Sequence, residues 1–197
     1  IQEQIYSFFP PEVLMQFPSD GVENILSSEL IYYHIIQGWH LDGTVVMIGY
    51  QKILDSMVEL YITKGFRRYI QKNKLNHPPK NDPLEKSLHS IIEKKHILSL
   101  GRLYALLKGN NKEITLGYQR NFADYLKSRP FLQKALLETD FLLQLQILSN
   151  LHILWEKRHS GSLSPEDTER ARQSFIWNFQ SKNCLLYILA ASQSVDL

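Results

Sequence analysis

The side chains of this sequence with chemical potential are seven histidines, one cysteine and one dense run of cations. His34 and His40 fall near the first helical segment, His77 lies in a proline-rich stretch, and His89 and His96 stand seven apart on one helix. That last spacing lets two imidazoles share a face. No Asp, Glu or Cys completes a ligand set at a reinforcing interval, so no metal site is expected. Cys184 is alone, which excludes an internal disulfide, a Cys-based zinc knuckle and an iron–sulfur cluster, and points to a reducing, cytoplasmic setting. Phosphate loops, dinucleotide fingerprints, HExxH helices and the GxSxG elbow are absent, so no cofactor is expected.

The cation run is KGFRRYIQKNKLNHPPK, where Lys64, Arg67, Arg68, Lys72, Lys74 and Lys80 occur with no acid between them and Phe66 and Tyr69 are interleaved. Cations of this density follow a phosphate backbone, and interleaved rings stack on bases, so Lys64, Arg67, Arg68, Lys72 and Lys74 are the RNA-binding candidates. The same cations at a helix C-terminus also serve the helix dipole and solvation alone. Over the whole chain, 22 basic against 20 acidic residues leave a formal charge of +2, too small a bias to announce nucleic acid or an anionic membrane.

The junction LHILWEKRHSGSLSPEDTERARQ (Leu151 to Gln173) is the most distinctive segment. An apolar helix ends in a charged pair and a histidine, a small-residue turn follows, and Ser164, Pro165 and an acid open the next helix. This resembles the signature of the HEPN superfamily, in which Arg-Asn and then His close one helix and Gly, Leu, Ser and an acid lead into the next. Upstream, GYQKILDSMVELYI (Gly49 to Ile62) and LSLGRLYALL (Leu98 to Leu107) are similar to other family helices, so the resemblance spans roughly residues 42 to 190.

The resemblance implies a helical bundle and metal-independent RNA cleavage. In catalytic members an arginine is followed by His after four to six intervening residues. The histidine acts as general acid or base toward the ribose 2′-hydroxyl, while the arginine stabilises the charge of the transition state. With His159 as the histidine, the arginine position falls on Leu154, Ile153 or His152, none of them basic. Arg158 adjoins His159 but points about 100° away around a helix. Lys72, upstream of His77, lacks the planar fork of arginine. The expected function is therefore a non-catalytic HEPN-like scaffold that docks a protein partner, a second copy or RNA. The family's settings, prokaryotic defence, toxin–antitoxin pairs and CRISPR-associated machinery, are what the resemblance implies for its pathway. The alternatives are a ribonuclease with an altered site built on His159 and Arg158, or an accessory helical domain of a larger protein; the start at Ile1 suggests a piece of a longer polypeptide. Family members pair through the helices flanking the motif, which implies an interface at Trp155, Phe175, Ile176 and Trp177. Phe175 and Trp177 lie about 200° apart around their helix, so one of them faces outward.

Helices must position all of these residues. Apolar side chains recur at helical intervals from Val22 to Gln37, and Gly38 supplies a stop. Asp42 caps a second helix running to about Lys74, and Asp82 with Pro83 and Glu85 opens a third into Ile97. Shorter helices follow over Gly101 to Gly109 and Leu116 to Lys127. A long one over 131 to 158 is apolar around much of its circumference and so is innermost, and a last one runs from Pro165 through Leu189. No period-two strand competes, and the N-terminal stretch has no basic head before an apolar block, so it is no secretory signal. The expectation is an all-α, single helical bundle over 22–191, preceded by an extended arm (1–21) with Pro10, Pro11 and Pro18 and followed by a tail (192–197). No apolar run approaches the roughly 20 residues of a membrane span.

Overall fold

The computed structural model describes residues 1–77, 81–93, 96–109, 117–157 and 163–194, with the side chains of 151–157, Asn178 and Ser194 excepted. The described residues are helical or irregular, with no strand among them, so the all-α expectation holds. Helices are labelled α1 to α12 in chain order.

The extended arm is a correction. Gln2–Phe8 forms α1 and Pro11–Leu14 forms α2. The prolines permit this because Pro11 occupies the first position of α2, where a missing N–H costs nothing. Ile5, Phe9 and Val13 are buried, and Phe9 packs against Phe17 at 5.0 Å and Tyr187 at 6.0 Å between ring centroids. The N-terminal residues are thus a wall of the core. The C-terminal tail begins late as well, since α12 (Leu185–Ser194) carries Ser192 and Gln193 as buried residues.

Helix α3 (Gly21–Ile36) and α4 (Gly43–Met57) pack together as a hairpin. Gly38, at φ +90°, ends α3 through two carbonyl closures, with Gly38 N–H bonded to Ile35 O (3.0 Å) and Trp39 N–H to His34 O (3.1 Å). This is a Schellman cap, and its accompanying side-chain contact is the Trp39 ring against His34, 4.5 Å between centroids. Asp42 accepts from Thr44 N–H at 2.9 Å and from Leu163 N–H at 3.1 Å, tying the start of α4 to the approach to α11. Burial alone would raise its carboxyl; these hydrogen bonds outweigh it and hold it below its ordinary value.

The second helix continues as expected, through a π-helical stretch (Val58–Thr63) into α5 (Lys64–Lys72). There the Tyr125 hydroxyl donates to Tyr61 O at 2.8 Å, supplying a partner where the regular ladder is displaced. Helix α6 (Pro83–Ile92) starts as expected, with Asp82 accepting from Leu84 and Glu85 N–H at 2.9 Å, but stops five residues before Ile97. Helices α7 (Leu100–Gly109) and α8 (Tyr118–Lys127) follow, and the N-terminus of α8 is held by buried Glu85 accepting from Tyr118 and Gln119 N–H.

The long helix expected over 131–158 is two, α9 (Pro130–Leu137) and α10 (Thr139–Lys157), broken at extended Glu138. In one straight helix Leu136 and Phe141 would point about 140° apart. With the break both are fully buried. Leu132, Leu136, Leu145 and Leu148 are buried, but Phe131 and Leu143 face out, so among the described residues each helix buries one stripe and the expectation of an innermost helix is corrected. The last helix is likewise divided. Helix α11 (Pro165–Ile176) ends where Trp177 turns left-handed at φ +46°, and α12 resumes after a short turn. Phe175 and Ile176 can then be buried before the turn, and Leu185, Leu186 and Leu189 after it.

Candidate functional site

The sequence-predicted residues separate. His159 and Arg158 lie outside the described residues, as does the side chain of Trp155. Phe175 and Ile176 are fully buried within this chain and present nothing to a partner; Trp177, 38% exposed, is the outward aromatic of the pair. In the cation run, Arg67 is taken up by the fold, its Nε donating to Ile91 O at 2.6 Å and its Nη1 to Glu59 at 2.8 Å. Phe66 is in the core and cannot stack on a base. Lys64, Arg68 and Lys72 are exposed at four-residue intervals along one face of α5, with Lys74 just beyond. Among the described residues no group of His, Cys, Asp or Glu is arranged to hold a metal. Cys184 is buried, which pushes its thiol up to about 12 and removes it as a nucleophile.

The α3–α4 hairpin holds what sequence reasoning missed. From Leu30 to Leu41 there is no Asp, Glu, Lys or Arg, and Leu30, Tyr33, Ile36, Trp39 and Leu41 are exposed, Trp39 to 59%. Val45 and Ile48 follow Leu41 at intervals of four and three, extending the exposed apolar positions along α4. The helical spacing of Val22, Ile25, Leu26, Leu30 and Tyr33 places Leu30 and Tyr33 on a shared apolar stripe. Yet Leu30, Ile31, Tyr32, Tyr33, Ile35 and Ile36 surround the whole circumference, more than one stripe can bury, and that excess was the available signal. The Schellman cap fixes Trp39 over His34, so the tip is set by backbone hydrogen bonds as well as by packing.

The hairpin is anchored to α11 by a buried ionic group. Arg172 grips Glu29 of α3 in a bidentate pair, Nε and Nη2 each 2.7 Å from a carboxylate oxygen. The Tyr50 hydroxyl of α4 donates to the same carboxylate. The Arg172 guanidinium also lies over the Tyr32 ring, 4.4 Å from its centroid, and the Tyr32 hydroxyl donates to Glu169 at 2.5 Å. Burial would lower the Arg172 pKa, but Glu29 outweighs it and keeps the guanidinium charged. Burial, then Glu169, pushes the Tyr32 phenol up to about 12; burial and Glu29 push Tyr50 well above its ordinary value. Every charge in this group has a partner, so its work is positional. Sequence spacing contained the clue, because Thr168, Ala171, Arg172 and Phe175 fall at i, i+3, i+4 and i+7 and place the arginine in the buried stripe of α11.

No protein-family model, no curated protein and no solved structure matches this chain. No helix among the described residues is long and apolar enough to cross a membrane.

Proposed function

We propose that this is a non-catalytic helical scaffold domain, HEPN-like in its Leu151 to Gln173 junction, that assembles through the α3–α4 hairpin with a second copy of itself. The supporting observation is the exposed, charge-free tip bearing Tyr33, Ile36, Trp39 and Leu41. Contiguous exposed apolar groups with aromatic members mark association surfaces, and such residues dominate their energetics. A two-fold interface brings a surface against itself, so any net charge on it would repel its own image. Leu30 to Leu41 carries none, and the adjoining Asp42 directs its charge to Thr44 and Leu163 N–H. An anionic membrane is disfavoured as the occupant, because no Lys or Arg lies between Leu30 and Ile48 to meet its headgroups.

Light scattering after size exclusion, at concentrations in the tens of micromolar, is expected to report a dimer. Trp39→Ala combined with Ile36→Ala should return a monomer with an unchanged circular dichroism spectrum, its dimer Kd at least about tenfold weaker. A wild-type monomer across that range would sink the proposal, and so would a dimer indifferent to both substitutions.

A second reading, RNA docking along α5, is favoured by Lys64, Arg68 and Lys72, which make no ion pair among the described residues. Charge reversal of all three is expected to abolish salt-sensitive RNA binding. With leucine at the position the resemblance gives to arginine, incubation with RNA in chelator should leave the RNA intact. Cleavage removed by His159→Ala would instead establish the altered-site ribonuclease.

A further inference from the structure

The surface between α6 and α7 holds a cleft of about 530 Å³ lined by Pro83, Lys86, Ser87, Ser90, His96 and Arg102. We infer that this cleft is a binding site for a terminal phosphate group, with Lys86 and Arg102 as its cations and Ser87 and Ser90 as hydroxyl donors.

Lys86, Ser87 and Ser90 follow Pro83 at i+3, i+4 and i+7, so a single stripe of α6 supplies four of the six lining residues. Arg102 in the first turn of α7 and His96 in the connection between the helices complete the lining. Among the described residues the lining contains no carboxylate, and neither Lys86 nor Arg102 forms an ion pair. Arg102 is also placed against the local field, since the first turn of a helix favours negative charge and this one has no acid. An anion seated between Arg102 and Lys86 would answer both unpaired charges and complement the helix end.

Ser87 provides an independent sign. It is 3% exposed, and its Oγ has no hydrogen-bond partner. Buried hydroxyls are nearly always paired, because an unpaired one has given up its hydration for nothing. Ser87 lines the cleft, and rotation about its Cα–Cβ bond is the motion by which the hydroxyl would reach an acceptor there. Two cations, two hydroxyls and an imidazole suit a phosphomonoester, which carries about −1.5 to −2 charge at neutral pH with three acceptor oxygens. A carboxylate would use fewer of these donors, and a phosphodiester carries one charge fewer and a second ester substituent at the phosphorus.

The shared chemistry, a terminal phosphate, is available from a mononucleotide or from the end of an RNA strand. Calorimetry on the whole chain would use orthophosphate, AMP, and one short RNA with either a 5′-phosphate or a 5′-hydroxyl. Orthophosphate is expected to bind and to compete with whichever larger ligand binds. AMP binding with no preference between the two RNAs assigns the mononucleotide; a preference of tenfold or more for the phosphorylated RNA assigns the strand end. Lys86→Ala and Arg102→Ala should each weaken orthophosphate binding at least about fivefold, as charge-assisted hydrogen bonds do when lost. Ser87→Ala should weaken it severalfold while leaving the unliganded Tm unchanged or higher, because the hydroxyl it removes has no partner in the free protein. Absence of orthophosphate binding would overturn the inference, as would affinity untouched by Lys86→Ala and Arg102→Ala. The hairpin substitutions at Ile36 and Trp39 should leave phosphate binding intact, so this site and the proposed self-assembly fail or stand separately.

Discussion

Replacing Arg172 by leucine should lower the unfolding free energy by about 3–5 kcal/mol, the cost of leaving a buried carboxylate without its partner. Glu29 is 5% exposed and takes both of its short ionic contacts from Arg172, so the variant strands a negative charge among α3, α4 and α11. The double variant Glu29→Leu/Arg172→Leu should recover much of that loss, because removing both charges removes the desolvation cost with them. Urea denaturation of the two single variants and the double variant closes the cycle. A loss under about 1 kcal/mol for Arg172→Leu would mean that the pair is solvated and does not anchor the hairpin. The same group gives the domain an alkaline limit. Unfolded tyrosines ionise near pH 10, whereas Tyr32 keeps its proton to about 12 and Tyr50 is likewise held protonated well above its ordinary value. The native state then holds more protons than the unfolded one, so this contribution is fully present below pH about 10 and is lost as pH climbs through the folded values.

Gly49→Leu should destabilise the domain by about 1–3 kcal/mol or more, and should also weaken the proposed assembly through the hairpin. A Cβ at Gly49 would stand 2.3 Å from Ser28 Oγ and 2.8 Å from the Asn24 carbonyl oxygen. The serine can turn away. The carbonyl is part of the α3 backbone and cannot, so α3 and α4 must separate. Their separation pulls Tyr50 from Glu29 and loosens the residues that present Trp39. For a domain of this size each kcal/mol lowers Tm by about 2–4 °C, which thermal denaturation resolves readily. A variant that melts within about a degree of the wild type would show that the helices do not depend on this close approach.

Much of the secondary structure was legible in local chemistry. Asp42, Asp82 and Ser164 each cap the helix that they were expected to open, and Gly38 closes α3, because caps and left-handed stops act over four or five residues and need no distant partner. The helical period placed α4, the π-helical stretch and α5 as one continuous run for the same reason.

What local chemistry could not supply was the direction in which apolar excess is spent. Three prolines implied an extended arm, and only the aromatic seat formed by Phe17, Phe179 and Tyr187 makes helices of α1 and α2 worth their ordering entropy. The breaks at Glu138 and Trp177 have the same origin, since a straight helix would have turned part of each apolar set away from the core. Arg67 and Arg68 are adjacent and chemically identical, yet the fold draws the first inward to Glu59 and Ile91 O and leaves the second in solvent. Lys86 and Arg102, sixteen positions apart in the chain, become one cleft only when α6 packs on α7. The helical character of the chain and the starts of most helices could be read from residue order alone, because those depend on spacing and capping along the backbone. Which cations are free, which aromatics face out and which hydroxyl lacks a partner was decided only by tertiary packing, because exposure and pairing belong to neighbours that the linear order does not contain.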